Sequence, residues 1–436
     1  MFPLTKESME AAIRKLSIID LSTATIRQIC SLANELEKVA GETMVHLEIG
    51  NPGLIAERCG VEAEINALRN GIANEYPNIS GIPMLKKSGS DFVKAFINID
   101  IPEKCIVPTV GSMQGSFTVM MLLGQRIKGK DTMLFINPGF SAQRHQAKLL
   151  GLNIVSFDIY SYRGEKLRDK LENILKEGNI TGIIYSNPNN PAWINLTEVE
   201  LKIIGELATK YDAIVLEDLA YFGMDYRNEY GKPYKFPYIP TVANYTDNYI
   251  LLISGSKIFS YAGQRIALVC MSNAVFERRY KLLEEFYEIP TFGDAFIYGV
   301  LYCSSSGTAH SAQYAMAAMM QAAVRGELDF IGHCKEYADK SKRVKRIFLE
   351  NGFHVVYERD GEQLISDGFF FTAGYKHMNG CELQKELLRY GIASISLQSA
   401  GSSMDGIRVC VSMISNEESY GKLERFLKKF NEDHSK

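Results

Sequence analysis

Thr181-Gly182-Ile183-Ile184-Tyr185 is followed directly by Ser186-Asn187-Pro188-Asn189-Asn190-Pro191. A short run that is apolar at consecutive positions suits a strand buried on both faces, as in a parallel sheet covered by helices. The amide- and proline-rich segment cannot continue that strand and reads as a rigid turn. Leu196–Tyr211 then carries a helical pattern, and Thr197 with Glu200 supplies the T-x-x-E capping box that starts one. The same texture recurs at Cys105–Val110, Thr132–Ile136, Ala213–Leu216 and Tyr249–Ile253. Strand then helix, repeated, predicts a doubly wound α/β domain with a mostly parallel sheet.

Beyond residue 310 the pattern changes. Ser311–Glu350 reads as one long helix rich in Ala, Met, Lys and Arg, ended by Asn351-Gly352, and a smaller α/β domain follows. Its apolar runs are Phe353–Val356, Gly368–Thr372, Ile392–Ser396 and Ile407–Val411, with a helix near Glu382–Tyr390. The first 50 residues lack strand texture until Val45–Ile49 and are expected to pack on this second domain. The expected division is an N-terminal segment 1–64, a large domain 65–316 and a small domain 317–436.

Composition narrows the function classes. The chain has 436 residues, 46% apolar and 23% charged, which is ordinary globular usage with room for two or three domains. Charges nearly cancel, 51 acidic against 48 basic, so no overall field favours nucleic acid or an anionic membrane. The eight cysteines lie far apart with no C-x-x-C pair, and the seven histidines are scattered, so no metal site is expected. The charged start and the lack of a long apolar stretch predict a soluble, cytoplasmic protein with reduced thiols.

In open α/β sheets ligands bind beyond the carboxyl ends of the strands. Those positions are chemically coherent here: Gly111-Ser112-Met113-Gln114 after Val110, Asn137-Pro138-Gly139-Phe140 after Ile136, Glu217-Asp218 after Leu216, and Ser254-Gly255-Ser256-Lys257 after Ile253. One rim collects an amine, a carboxylate, hydroxyls, amides, an aromatic ring and a helix start. Each alone has an ordinary structural explanation as an N-cap, a turn, a core ring or a solvated lysine. Their combination and order point to a single site.

With these residues in view the chain resembles the fold type I pyridoxal-phosphate enzymes, specifically the class I/II aminotransferases. The markers are IGNPG (Ile49–Gly53), YPNISGIPMLK (Tyr76–Lys86), VGSMQG (Val110–Gly115), NPGF (Asn137–Phe140), NPNNP (Asn187–Pro191), EDLAY (Glu217–Tyr221), SGSK (Ser254–Lys257), GQR (Gly263–Arg265) and GIRV (Gly406–Val409). Asp218 stands 39 residues before Lys257 and Arg265 stands 8 after it, spacings usual for the family. The resemblance implies the aspartate aminotransferase-like fold, pyridoxal 5'-phosphate as cofactor, and exchange of an amino group between an L-amino acid and a 2-oxo acid.

The resemblance also assigns roles. Lys257 holds the cofactor as a Schiff base and then moves the proton as general base and acid. Asp218 keeps the cofactor's ring nitrogen protonated. Tyr221 and Asn190 bond its phenolic oxygen, and Phe140 stacks on its ring. Gly111, Ser112 and Met113 at the helix start, with Ser254, Ser256 and Arg265, form a phosphate cup. Tyr76 reaches the phosphate of the neighbouring subunit, which implies a homodimer with shared sites. Arg408 takes the substrate α-carboxylate, beside Asn190, and Gly50 is small so that backbone can approach the substrate. The small domain is expected to close over the substrate.

The chain departs from the family where Ala192-Trp193 replaces Thr-Gly after the asparagine–proline turn, and again over Ser396–Gly401. No residue matches the second arginine of dicarboxylate-specific relatives; Arg278 and Arg279 look like a solvated helix face. The aromatic tract Glu285–His310 suits an apolar pocket or a dimer or core surface. The alternatives to transamination are a lyase, decarboxylase or synthase of the same fold, and a non-catalytic cofactor-binding regulator.

Overall fold

A computed structural model describes residues 1–435. The dominant feature is a seven-stranded sheet: β2 (Ile106–Val110), β3 (Thr132–Asn137), β4 (Asn153–Asp158), β5 (Ile180–Ser186), β6 (Ile214–Asp218), β7 (Tyr249–Ser254) and β8 (Ile266–Met271). Its spatial order is β2-β8-β7-β6-β5-β3-β4, parallel from β7 through β4 and antiparallel where β8 meets β7 and β2. The central strands β5, β6 and β7 are buried at every residue, which is why their sequences read as unbroken apolar runs.

Helices cover the sheet. The first half of the chain contributes α3 (Arg58–Arg69), α4 (Pro83–Ile97), α5 (Gly111–Gln125), α6 (Ser141–Leu149), α7 (Lys166–Leu175) and α8 (Glu198–Lys210). The expected capping box forms at α8: the Thr197 side chain accepts from the Glu200 N–H, and Glu200 reaches back to the Thr197 N–H at 2.8 Å.

Two strands were not anticipated. β4 is an edge strand whose residues alternate between exposed and half-buried until its last two, which are buried, so it lacks a continuous apolar run. β8 follows Arg265 without a turn cluster and is not followed by a crossover helix, so the strand–helix rhythm passes over it. The predicted helix over Ser311–Glu350 is two helices, α9 (His310–Val324) and α10 (Glu336–Glu350), with a short turn at Phe330–Cys334 between them. Gly326 breaks it with φ +72, a conformation that side-chain-bearing residues rarely adopt.

The C-terminal part holds β9 (Phe353–Val355), the hairpin β10 (Arg359–Asp360) and β11 (Gln363–Leu364), β12 (Phe370–Tyr375), α11 (Gly380–Arg389), β13 (Ile392–Ala393), β14 (Ile395–Ser396), β15 (Ile407–Cys410) and α12 (Glu417–His434). β14-β15-β12-β9 form an antiparallel sheet. The N-terminal α1 (Lys6–Lys15) and α2 (Ile26–Ala40) bury Met9, Ile29, Leu32 and Leu36 against Leu388, Ala393 and Ile395, and β1 (Val45–His46) pairs with β13. Only two residues of Val45–Ile49 are strand; the remainder turns into the cleft between the two sheets. Helices α3 and α9 pack on each other at Gly60 and Met319, so positions 64 and 316 both lie inside large-sheet helices. No helix among the described residues is long and apolar enough to cross a membrane.

Candidate active site

A cleft of about 820 Å³ opens beyond the carboxyl ends of the parallel strands. Strand register explains who meets there. β2 runs straight into α5, and its last residue, Val110, pairs with Ile266, the first residue of the reversed strand β8. Arg265 is thereby brought beside Gly111 although 154 residues separate them in sequence. Gly111 has φ +67, and a Cβ built there would lie 2.5 Å from Arg265 Nη2, so the guanidinium occupies the space that glycine leaves. The Ser112 hydroxyl is buried with no partner. Ser254 Oγ accepts the Ser256 N–H at 3.2 Å. A helix start, serine hydroxyls and a guanidinium therefore surround one small space, a donor set suited to an anion.

Asp218 closes β6 at the same level as Ser186 of β5. Its carboxyl is buried, which pushes its pKa up to about 6; Gln143 Nε2, at 2.8 Å, and the Ala220 N–H, at 3.1 Å, oppose that rise. A buried carboxyl in this state is stabilised by a cation placed against it. Lys257 sits in the single helical turn Gly255–Ile258 that follows β7, and its Nζ donates to the Gly50 carbonyl. Burial, with Arg408 and Arg265 nearby, lowers its pKa to about 8, so the free amine is far more accessible near neutral pH than for an ordinary lysine.

Opposite the anion cup, Arg408 projects from β15. Its Nη1 donates to Asn190 Oδ1 at 3.2 Å, its Nη2 to the Glu48 carbonyl, and its buried Nε has no partner. The guanidinium lies over the Phe370 ring, 4.7 Å from the centroid. Asn190 is fixed in turn by its own N–H, which donates to Ser186 Oγ at 3.0 Å. Tyr221 is buried among Trp193, Phe369 and Phe370, with ring centroids 5.3–5.4 Å away. Phe140 caps α6 at the cleft wall.

Thus Gly50, Ser112, Met113, Phe140, Asn190, Asp218, Tyr221, Ser254, Ser256, Lys257, Arg265 and Arg408 all line one cleft, and Gly111 forms its wall through Arg265. Tyr76 does not: it is 93% exposed and lies outside the lining of this chain's cleft. A Cβ at Gly50 would stand 3.8 Å from Phe370 and 3.9 Å from Lys257 Nζ, and its carbonyl accepts from that amine. Arg279 is exposed as expected, whereas Arg278 is half-buried and pairs with Asp212 and Asn248; neither lines the cleft. None of Phe286, Tyr287, Phe292, Phe296 and Tyr302 lines it.

Other residues escaped sequence reasoning. Gln143 carries no motif. Thr25, Ile26, Arg27 and Cys30 reach the cleft from α2. Glu48 is fully buried, accepts from His46 at 2.8 Å and presents its carbonyl to Arg408. The IGNPG motif one residue later was the available signal for that segment.

Comparison with known proteins places the chain in a family. The description of aminotransferases of class I and II matches residues 42–426. A probable aspartate aminotransferase of Methanocaldococcus jannaschii is 24% identical over 82% of this chain and 86% of its own length. The aspartate aminotransferase of Pyrococcus horikoshii is 27% identical over 61% of this chain and 64% of its own. In fold, the Thermus thermophilus aspartate aminotransferase solved with maleate superposes with a TM-score of 0.75 at 16% identity, covering 96% of this chain and 98% of that one. The chain belongs to the class I and II aminotransferase family.

Proposed function

We propose that this protein is a pyridoxal-phosphate aminotransferase exchanging an amino group between an L-amino acid and a 2-oxo acid. The observation that carries the proposal is the convergence on one cleft of the Lys257 amine, the buried Asp218 carboxyl and the cup of Gly111, Ser112 and Arg265. The residues fit the cofactor on three counts: an orphaned Ser112 hydroxyl and a guanidinium suit its phosphate, a buried carboxyl suits a protonated ring nitrogen, and a lysine with lowered pKa suits its aldehyde.

When bound, pyridoxal phosphate supplies the carbonyl that takes up the substrate amine and the ring that accepts the electron pair freed at the α-carbon. The protein supplies the rest. Asp218 would keep the ring nitrogen protonated through a charge-assisted hydrogen bond, and Gln143 holds the carboxylate in orientation. Arg408 and Asn190 fix the substrate α-carboxylate, the unpartnered Nε of Arg408 adding a further donor. Lys257 would hold the cofactor through its amine and, as a free amine, would serve as the base and acid that moves the substrate α-proton. Phe140 and Tyr221 wall the ring and exclude water.

The exposed Tyr76 supports a homodimer in which it completes the partner's phosphate cup. Mixing inactive Tyr76→Ala and Lys257→Ala subunits should restore activity; none after verified exchange counts against shared sites. All eight cysteines are unpaired, which supports a cytoplasmic setting. The deciding experiment is to add each of the twenty amino acids to the purified holoenzyme and follow the absorbance change from aldehyde to amine form. The relatives' names make aspartate the first donor to try. A cofactor that responds to none of them ends the reading.

A further inference from the structure

Trp193 is the chain's only tryptophan, and nothing in the proposed chemistry uses it. It is fully buried at φ +64, in the left-handed region that favours glycine. Such a backbone persists where the surroundings over-determine it. Here they do so from two sides. The indole lies flush on Gly368, where a Cβ would come within 2.3 Å of its ring atoms, and packs edge-on against Tyr221 at 5.4 Å and Phe370 at 5.9 Å. Two residues later Asn195 is clamped by Asp360 of the β10–β11 hairpin: its N–H donates to both carboxylate oxygens, at 2.9 and 3.1 Å. Arg163, at 3.1 Å, and Arg227, at 2.8 Å, neutralise that carboxylate, and Arg163 also donates to the Asn195 carbonyl at 2.8 Å.

We propose that Trp193 is a positioning residue for substrate binding, seated by Asp360 and acting through Phe370 on Arg408. The path is one of contacts: Asp360 fixes Asn195, the loop drives the indole between Gly368 and Tyr221, and the indole backs the Phe370 ring over which the Arg408 guanidinium lies. Phe370 and Gly368 belong to the C-terminal part of the chain and Trp193 to the large sheet's loop, so the indole is a wedge that sets the distance between Arg408 and the rest of the cleft. Trp193 is set behind the cleft lining, its contacts being with Gly368, Tyr221 and Phe370. The inference rests on Arg408 holding the substrate carboxylate, as proposed above.

The test uses holoenzyme and 3-phenylpropionate, a carboxylate that has no amine to transfer, with binding read by calorimetry. Trp193→Ala should weaken binding by about 10- to 100-fold, the scale of loss when a binding group shifts by an ångström. Trp193→Phe, which keeps an aromatic wedge, should recover most of it. Asp360→Asn keeps the tryptophan and should weaken binding in the same direction while moving the indole emission maximum to longer wavelength, a change that loss of global stability alone does not cause in folded protein. If Trp193→Ala fails to fold, Asp360→Asn decides. Unchanged binding in either folded variant, a red-shifted emission without loss of binding, or no binding to the unsubstituted enzyme overturns the inference. An enzyme that binds the carboxylate with this pattern yet converts no amino acid leaves the positioning role standing and removes the proposed reaction instead.

Discussion

Gln143 Nε2 donates to Asp218 Oδ2 at 2.8 Å, and among the described residues it is the only side chain that donates to that carboxyl. Removing it as Gln143→Leu leaves a buried carboxylate short of a donor, a loss of about 1.5–3 kcal/mol for a bond to a charged group. Because that bond favours the ionised form, Asp218's pKa should rise above its present value of about 6. Turnover should therefore drop more steeply at pH 6 than at pH 8, with the acid limb of the kcat profile displaced upward. Superimposable profiles would count against the assigned pair.

Lys257 offers a direct titration. Its pKa of about 8 lies below that of a free lysine, since burial and two guanidinium groups disfavour the ammonium. In cofactor-free protein, modification of Lys257 by trinitrobenzenesulfonate should rise through about pH 8, and Arg408→Gln should raise that midpoint by removing a positive charge. Peptide mapping reads the site. Separately, Lys257→Ala in holoenzyme should cut turnover by on the order of 10²–10⁴-fold, the usual contribution of a general base.

Gly111→Ala places a methyl 2.5 Å from Arg265 Nη2 on a backbone with φ +67. The left-handed backbone alone costs about 1–2 kcal/mol. Melting should fall accordingly, and cofactor should dialyse away faster because the guanidinium must move out of the cup. Retention equal to that of the unsubstituted enzyme would show that Arg265 does not hold phosphate.

Arg408→Lys keeps the charge and loses the planar fork. KM for the amino acid should rise by roughly tenfold or more, the equivalent of losing about 1.5–3 kcal/mol of charged hydrogen bonding, with a smaller change in kcat. A fall confined to kcat would move Arg408 from substrate holding to the chemical step.

His46 has its pKa raised, chiefly by the hydrogen bond with Glu48. Its folded-state pKa exceeds the unfolded one, so its stabilisation is fully present below about pH 6.5 and is lost as pH climbs through the raised value. The melting temperature of the unsubstituted protein should exceed that of His46→Gln by more at pH 6 than at pH 9. Equal differences would show that the imidazolium–carboxylate pair contributes nothing.

Much of this was legible in the sequence because burial on both faces writes itself as unbroken apolar runs: β5, β6 and β7 stand where Thr181–Tyr185, Ala213–Leu216 and Tyr249–Ile253 were read. Their carboxyl ends in turn named the rim residues. What was missed depends on register or distance. β8 runs against its neighbours, and only its pairing with β2 explains how Arg265 reaches Gly111. Gln143 is an ordinary helix glutamine until the fold brings it to the carboxyl at the end of β6. The glycine at 326 was visible, but a positive φ there was not, so two helices read as one. Trp193 was noticed as a departure, while its seat on Gly368 depends on a residue 175 positions away.

Helix α2 puts Ile26, Arg27 and Cys30 on the cleft while anchoring itself elsewhere, through Ile29, Leu32 and Leu36 on the C-terminal part. This wall of the cleft is thus carried on a different piece of scaffold from Lys257 and Asp218, and on the proposed function it is a wall that the side chain of the incoming amino acid would meet. Preference for one donor over another can drift by changes along that helix while the reactive centre stays untouched.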